Sequence, residues 1–269
     1  MGSQTLNRLR IAVAFVLLSL ALLVTRGSPW PVWATRWQIG VLSLSGLVGY
    51  VFGDRYYFKS LVILGPGHAA LLLSTAPLFT TALAWPVLGE RPGPLALLGM
   101  ALTLSGIALV LHGREHEEHV HAEGSVAAGV LAGFLGALGQ GGGYVLSKVA
   151  LRTGLDPLSA TVIRISAAAV AIAITTLFAR DVSRTLGALR DRGGAAFMVG
   201  GAVMGPFLGV TLSLTALQFI EAGVAASITA CYPVLAILIS ARFHGERITA
   251  RTMLGAIVAV AGVVVLFLR

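Results

Sequence analysis

Apolar residues in this chain come in long, nearly unbroken runs, without the spacing of a surface helix or the alternation of a half-buried strand. Nine runs stand out, at residues 10–26, 38–63, 67–88, 95–112, 125–148, 158–179, 195–220, 223–243 and 251–268. A helix of about 18 to 20 apolar residues crosses the hydrocarbon of a bilayer, and each run is at or near that length. Turn-forming residues separate the runs: Gly65-Pro66-Gly67, Gly89 through Pro94, Asp156-Pro157 and Gly193-Gly194. Pro94 and Pro157 suit first-turn positions, where a missing N–H costs nothing. The pattern predicts an all-α integral membrane protein with nine transmembrane helices. Trp30, Trp33 and Trp37, ahead of the second run, read as interfacial anchors.

Two connections are longer. Residues 113–124, GREHEEHVHAEG, form the one strongly polar stretch, and residues 180–194 carry Arg180, Arg184, Arg190 and Arg192 with Asp181 and Asp191. Composition agrees with the run pattern: 57% of the residues are hydrophobic and 11% charged, and mean hydropathy is +0.89. A formal charge of +8 would suggest nucleic acid in a soluble protein, but the basic residues sit singly in short loops with no stacking aromatics between them. Such residues at helix ends set orientation and snorkel to headgroups. Cys231 is the single cysteine, which excludes an intrachain disulfide, and its apolar setting suits a small core residue. The first run follows Arg8 and Arg10 without a small-residue cleavage site, so it reads as a helix and not as a cleaved leader.

Sliding the chain against itself by 156 residues aligns Gly49–His112 with later sequence without a gap. Gly49, Gly53, Leu61, Gly67, Ala69, Ala70 and Pro77 fall on Gly205, Gly209, Leu217, Gly223, Ala225, Ala226 and Pro233. Gly89-Glu90-Arg91 falls on Gly245-Glu246-Arg247, Leu98-Gly99 on Leu254-Gly255, and Gly106 on Gly262. The matches are mostly Gly and Pro, residues that constrain backbone, and they exceed the roughly five or six identities so biased a composition gives by chance. The chain therefore divides into a first half at 1–113, a polar linker at 114–124 and a second half at 125–269. An odd number of runs separates Gly89 from Gly245, which places equivalent loops on opposite sides of the membrane and makes the repeat inverted. A site between such halves can open alternately to either side.

The stretches PLFTTALAWPVLGERPGPLALLGMALTLSGIALVL and PVLAILISARFHGERITARTMLGAIVAVAGVVVLFL resemble the end of the EamA-type unit of the drug/metabolite transporter superfamily. Its mark is a Pro-initiated apolar helix, a Gly-Glu-Arg turn and a Gly-containing helix, and GDRYYFKSLVILG resembles the helix before it. The resemblance implies an inverted-repeat helical bundle and a multi-pass secondary carrier of the inner or plasma membrane, usually an exporter of small metabolites. Family members normally have ten helices. Here Arg10-Ile11 resembles Arg164-Ile165, so the counterpart of 125–148 is missing, and both a truncated start and a true nine-helix protein fit. A cytoplasmic C-terminus, as the family has it, puts ten Lys and Arg outside and six inside, against the usual positive-inside bias.

Ionisable groups inside a spanning helix are costly and are the first candidates for function. The second run carries Asp54, Arg55, Tyr57 and Lys59. Arg55 and Lys59 share a helix face, and Asp54 lies about 100° away. Shifted by 156, Arg55 and Lys59 land on Thr211 and Thr215, with Gln218 a turn further on. Both halves are thus expected to turn a polar face to a shared cavity; the competing reading is that Asp54 pairs with a cation as packing glue. Gln140, Tyr144 and Lys148 also share a face, with Lys148 placed to snorkel. Arg164, about two turns into its run, suits either an anionic group or helix-end carbonyls. Pro77 and Pro233 are expected to bend their helices near mid-membrane, as a gate or a fixed kink. Gly139 and Gly143 have the spacing of close helix packing. In each Gly-Glu-Arg turn the glycine should end one helix and the carboxylate sit by the positive start of the next.

His112, His116, His119 and His121 invite a metal reading, but the stretch holds no cysteine and suits a hydrated linker. HEEHVH lacks the histidine spacing of HExxH, and neither GxxxxGK[ST] nor an aspartate-rich pair is present. The expectation is a transporter with no cofactor, coupled to protons or ions, acting as monomer or homodimer on a small-molecule substrate within the lipid bilayer. A membrane-embedded enzyme on lipid-like substrates and a non-transporting or truncated subunit are the other readings.

Overall fold

The computed structural model describes residues 3–112, 125–179, 181–232, 234 and 249–268. Pro233, Gly245-Glu246-Arg247, and His116, His119 and His121 lie outside the described residues, as do residues 235–243 at the end of the eighth apolar run. The helices are α1 (Ser3–Arg26), α2 (Arg36–Gly46), α3 (Asp54–Leu73), α4 (Ala76–Leu88), α5 (Pro94–His112), α6 (Val126–Leu151) and α7 (Pro157–Phe178). There follow α8 (Val182–Gly187), α9 (Arg192–Ala202), α10 (Val210–Ala216), α11 (Ala222–Thr229) and α12 (Ala250–Phe267). The fold is all-α and membrane-spanning. Among the described residues five helices are long and apolar enough to cross a bilayer, six if the bent pair Arg36–Leu73 and Ala76–Leu88 counts as one span; Pro94–Val110 is a shorter apolar helix.

The start of α1 lies well before the apolar run, so Arg8 and Arg10 belong to the helix itself. Caps fit the sequence. Thr35 and Gln38 form a capping box on α2, and Asp156 accepts from Ser159 N ahead of Pro157.

The 156-residue repeat reappears as backbone geometry. Wide π-helical turns occupy Leu47–Gly53 and Val203–Gly209, one repeat apart. In the first the Asp54 N–H donates to Gly49 O, and in the second the Val210 N–H donates to Gly205 O. Pro206 has no N–H to give an ordinary α-helical bond, which favours the wide turn in the second half. Gly65, at φ 82°, interrupts α3, and its counterpart Glu221 is the extended residue before α11. The starts of α5 at Pro94 and α12 at Ala250 keep the same offset.

The chain forms two compact units, Met1–Arg55 with Leu146–Phe219, and Tyr56–Val145 with Ile220–Arg269. Each draws on both sides of the 113–124 stretch. In the first unit the repeat-equivalent helices α1 and α7 pack side by side. Each also packs on the other half's helix: α7 on α2 and the first π turn, α1 on α9 and the second. Ile11, Ala14, Leu18 and Leu22 of α1 meet Val162, Ile165 and Ala168 of α7 in a buried cluster that includes Tyr50. Gly46 lets α2 approach the backbone of Arg164, where a Cβ would overlap the carbonyl. Phe15, Val16, Leu20 and Val24 remain exposed, as a helix face towards lipid should be.

In the second unit α5 and α12 lie in close contact. Gly99 faces Gly262 and Gly106 faces Gly255, so each pair of repeat-equivalent glycines contacts the other across a local pseudo-twofold. Along α6, Gly129, Gly133 and Gly136 take up Leu64, Leu72 and the backbone of Tyr57, and Gly141 abuts Thr80. Close packing by glycine on α6 thus falls at these four positions, whereas the sequence pointed to Gly139 and Gly143. In the first Gly-Glu-Arg turn Gly89 ends α4 with φ 69°, and Glu90 reaches a helix start in the other half. Its Oε2 accepts from Ala222 N at 2.7 Å, at the start of α11 in the other half. The carboxylate is buried, and α11 is the helix start within reach whose N–H groups need an acceptor.

Candidate functional site

In the first unit Arg10 and Arg164 each reach the segment from Tyr50 to Asp54 at the first π turn. Asp54, half-buried, accepts from Arg10 Nη2 at 3.1 Å, and the same nitrogen donates to Asn7 Oδ1 at 2.9 Å. Tyr50, four residues before Asp54, lies on the same face. The guanidinium of Arg164 sits 5.1 Å from the Tyr50 ring centre and is 5% exposed. A π turn advances the residues after it by about one position, or roughly 100°, relative to uninterrupted α-helix. It thereby sets which face carries Asp54.

Arg55 is exposed, as is Gln218. Gln218 Nε2 donates weakly to Leu155 O at 3.4 Å. Thr211 and Thr215 are half-buried and donate their hydroxyls to Phe207 O and Thr211 O of their own helix, at 2.6 and 2.8 Å. They offer a ligand oxygen lone pairs in place of O–H protons. Lys148 does not snorkel: α6 runs three residues beyond it, and the side chain is 7% exposed. Beside it Ser147 shares a buried hydrogen bond of 2.8 Å with Ser45.

In the second unit Tyr57 hydrogen-bonds Tyr232 and lies 5.7 Å from the Phe58 ring. Lys59 is exposed, Gln140 half-buried and Tyr144 buried. Pro77 does not kink a continuous helix: the chain breaks at Ser74-Thr75, and Pro77 lies in the first turn of α4, where no N–H is required. Glu90 and Glu221 line a small cavity with Thr81, Ala84, Pro92 and Gly223. Cys231 is half-buried and donates to Ser227 O. Among the described residues no group of three or more His, Cys, Asp or Glu is placed to hold a metal.

Arg10, Tyr50 and Tyr232 were not among the residues singled out by sequence. Arg10 had a signal: the Arg-Ile pair it shares with Arg164. Tyr50 had a weaker one, its spacing from Asp54. The pairing of Tyr57 with Tyr232 joins residues far apart in the chain and left none.

The EamA-like transporter family matches this sequence over residues 1–112 and 127–268. No curated protein matches it. Among solved structures, a crystal structure described only as that of a protein is 18% identical, with a TM-score of 0.76 over 100% of this chain and 88% of the other. At that identity the likeness carries the fold alone.

Proposed function

The chain belongs to the EamA-like transporter family, and from that premise we propose that it is a secondary carrier that exports small zwitterionic or anionic metabolites, or drugs, by alternating access. Membership makes it a multi-pass membrane transporter of the drug/metabolite superfamily and not an enzyme. In our reading it resides in the inner or plasma membrane.

The observation that carries the mechanism is the exchange of partners within the first unit, where α7 of one half packs on the π turn of the other and α1 does the converse. A crevice whose walls come from both repeats changes its open side when the halves exchange conformations. Asp54 is the coupling residue in this reading. A proton or a substrate ammonium competes with Arg10 for its carboxylate, and loss of the 3.1 Å contact frees Arg10. Within the first unit Arg55 supplies a further polar contact, with Thr211, Thr215 and Gln218 the second half's contribution. The helix break before Pro77 is the point about which the chain flexes in this reading.

Purified protein in proteoliposomes, loaded with labelled amino acids and given a pH gradient, tests this. Wild type should show gradient-driven flux and solute counterflow. Asp54→Asn should keep counterflow and lose the response to the gradient. Gradient-driven flux undiminished in Asp54→Asn removes Asp54 from coupling, and the absence of counterflow for every solute class removes the carrier reading.

A further inference from the structure

Arg10 and Arg164 occupy matching places in the two halves, each followed by isoleucine. Both leave Nε buried without a hydrogen bond among the described residues, yet their charges are met differently. Arg10 has Asp54 at 3.1 Å and Asn7 at 2.9 Å. Arg164, 5% exposed, has no carboxylate within ion-pair distance among the described residues; what lies against its guanidinium is the face of Tyr50. The repeat supplies the reason: the counterpart of Asp54 is Val210, so the second half carries no acid at the equivalent position.

Arginine stays protonated at any working pH, so burial cannot neutralise it. A tyrosine face offsets only part of the cost of taking a cation out of water. An intramembrane charge kept without a fixed partner marks a place that a mobile partner fills. The geometry is informative too: the Arg164 Nε–H, which makes no hydrogen bond among the described residues, stands beside an Nη–H in the side-on fork that grips two oxygens of a carboxylate or phosphate. Arg164 lies seven residues past the start of α7, about 10 Å along the helix axis, inside the span and away from the headgroups.

We infer that Arg164, seated on Tyr50, binds the oxyanion of the transported solute, and that the substrates are small metabolites bearing a carboxylate or phosphate. This deepens the carrier reading above and rests on it for the word transported; the binding claim stands separately. A lipid phosphate offers the same chemistry and is distinguished by the test.

Full-length wild type, Arg164→Lys and Arg164→Met are compared by thermal unfolding in neutral detergent with glutamate, succinate and inorganic phosphate, and with succinamide as the uncharged control. A second series uses phosphatidylcholine nanodiscs with and without phosphatidic acid. Wild type should be stabilised by at least one soluble anion and not by succinamide. Arg164→Met should melt above wild type without ligand, because a lone buried charge has gone, and should lose the anion response. Arg164→Lys should keep a response weakened roughly tenfold or more in apparent affinity, since an ammonium cannot form the fork. A purely structural arginine would instead give a less stable Arg164→Met.

An unchanged anion response in Arg164→Met overturns the inference, as does stabilisation of wild type by phosphatidic acid alone. Should Arg164→Met not fold, Arg164→Lys decides: wild-type affinity overturns the inference and weakened affinity supports it. Counterflow is measured in parallel. Anion binding lost in the variants with no counterflow by wild type sinks the carrier reading and leaves the site standing. Counterflow of a neutral solute unaffected in Arg164→Met, with no anion response in wild type, leaves the carrier standing and sinks the site.

Discussion

Removing the carboxylate of Asp54 leaves Arg10 with the Asn7 amide and no counter-charge among the described residues, inside a helix that crosses the membrane. Both partners are partly enclosed, so the loss is smaller than for a fully buried pair but larger than for a surface one. Asp54→Asn and Arg10→Gln should each cost about 1–3 kcal/mol of stability. The double variant should cost less than their sum by about 1–2 kcal/mol, a coupling that a double-mutant cycle by SDS titration measures. Additive losses would mean that the 3.1 Å contact contributes nothing specific. At this scale the sequence was informative about charge and poor about partners. Asp54 announces itself as an acid among apolar residues, and a pairing cation was one of its two readings. Its partner looked like a helix-end residue because the apolar run starts at position 10, whereas α1 starts at Ser3 and encloses Arg10. Thr211 and Thr215 were legible as polar positions on the repeat's equivalent face. That their protons return to their own helix follows from the short threonine side chain, which reaches the carbonyl four residues back.

The π turns, the glycine crossing and the Glu90 cap belong to the scale of elements, and each yields its own test. At the crossing of α5 and α12 a Cβ on Gly106 meets the backbone of Ala259 and Gly255, which no rotamer change relieves. Gly106→Val and Gly262→Val should each lose about 1–3 kcal/mol or more through overpacking. Gly200→Ala, in α9 with open space around it, should be neutral or gain up to about 1 kcal/mol from helix propensity; melting temperatures of the three read the contrast, and an undisturbed Gly106→Val would count against the tight crossing. For Glu90, truncation to Ala should cost about 1–2 kcal/mol by orphaning the Ala222 N–H. Glu90→Gln keeps an acceptor and should recover most of it. Equal losses in both variants would shift the role from hydrogen bonding to charge. The repeat was legible here because Gly and Pro carry it: Gly65, Gly89 and the starts of α5 and α12 fall where turn chemistry places them. The π turns were not, since a single surplus residue leaves apolar periodicity intact in a run that is apolar all round. The reach of Glu90 to α11 was hidden for another reason. A carboxylate after a C-capping glycine serves whichever helix start tertiary packing brings near, and local sequence names only the adjacent one.

For the whole molecule, the repeat makes a claim about sides that is independent of any substrate. Leu95 and Arg251 are equivalent first-turn residues of α5 and α12, separated by 156 positions, and both are exposed. If an odd number of spans separates them, they face opposite compartments; an even number puts them on one side. Cys231 is the chain's one thiol, so Cys231→Ser provides a background without cysteine. Its loss should be mild, because among the described residues the thiol makes only a weak bond, to Ser227 O at 3.8 Å. Leu95→Cys and Arg251→Cys are then placed separately on that background and treated in right-side-out and everted vesicles with a membrane-impermeant maleimide. One should label only in right-side-out vesicles and the other only in everted ones. The pattern identifies the compartment of the C-terminal helix as well, which the Lys and Arg count and the family resemblance assign in opposite senses. Labelling of both positions from the same side would make the two halves parallel copies. Alternating access by exchange of inverted halves would then lose its physical basis, even though the helices, the crossing glycines and the Asp54–Arg10 contact all remained as they are.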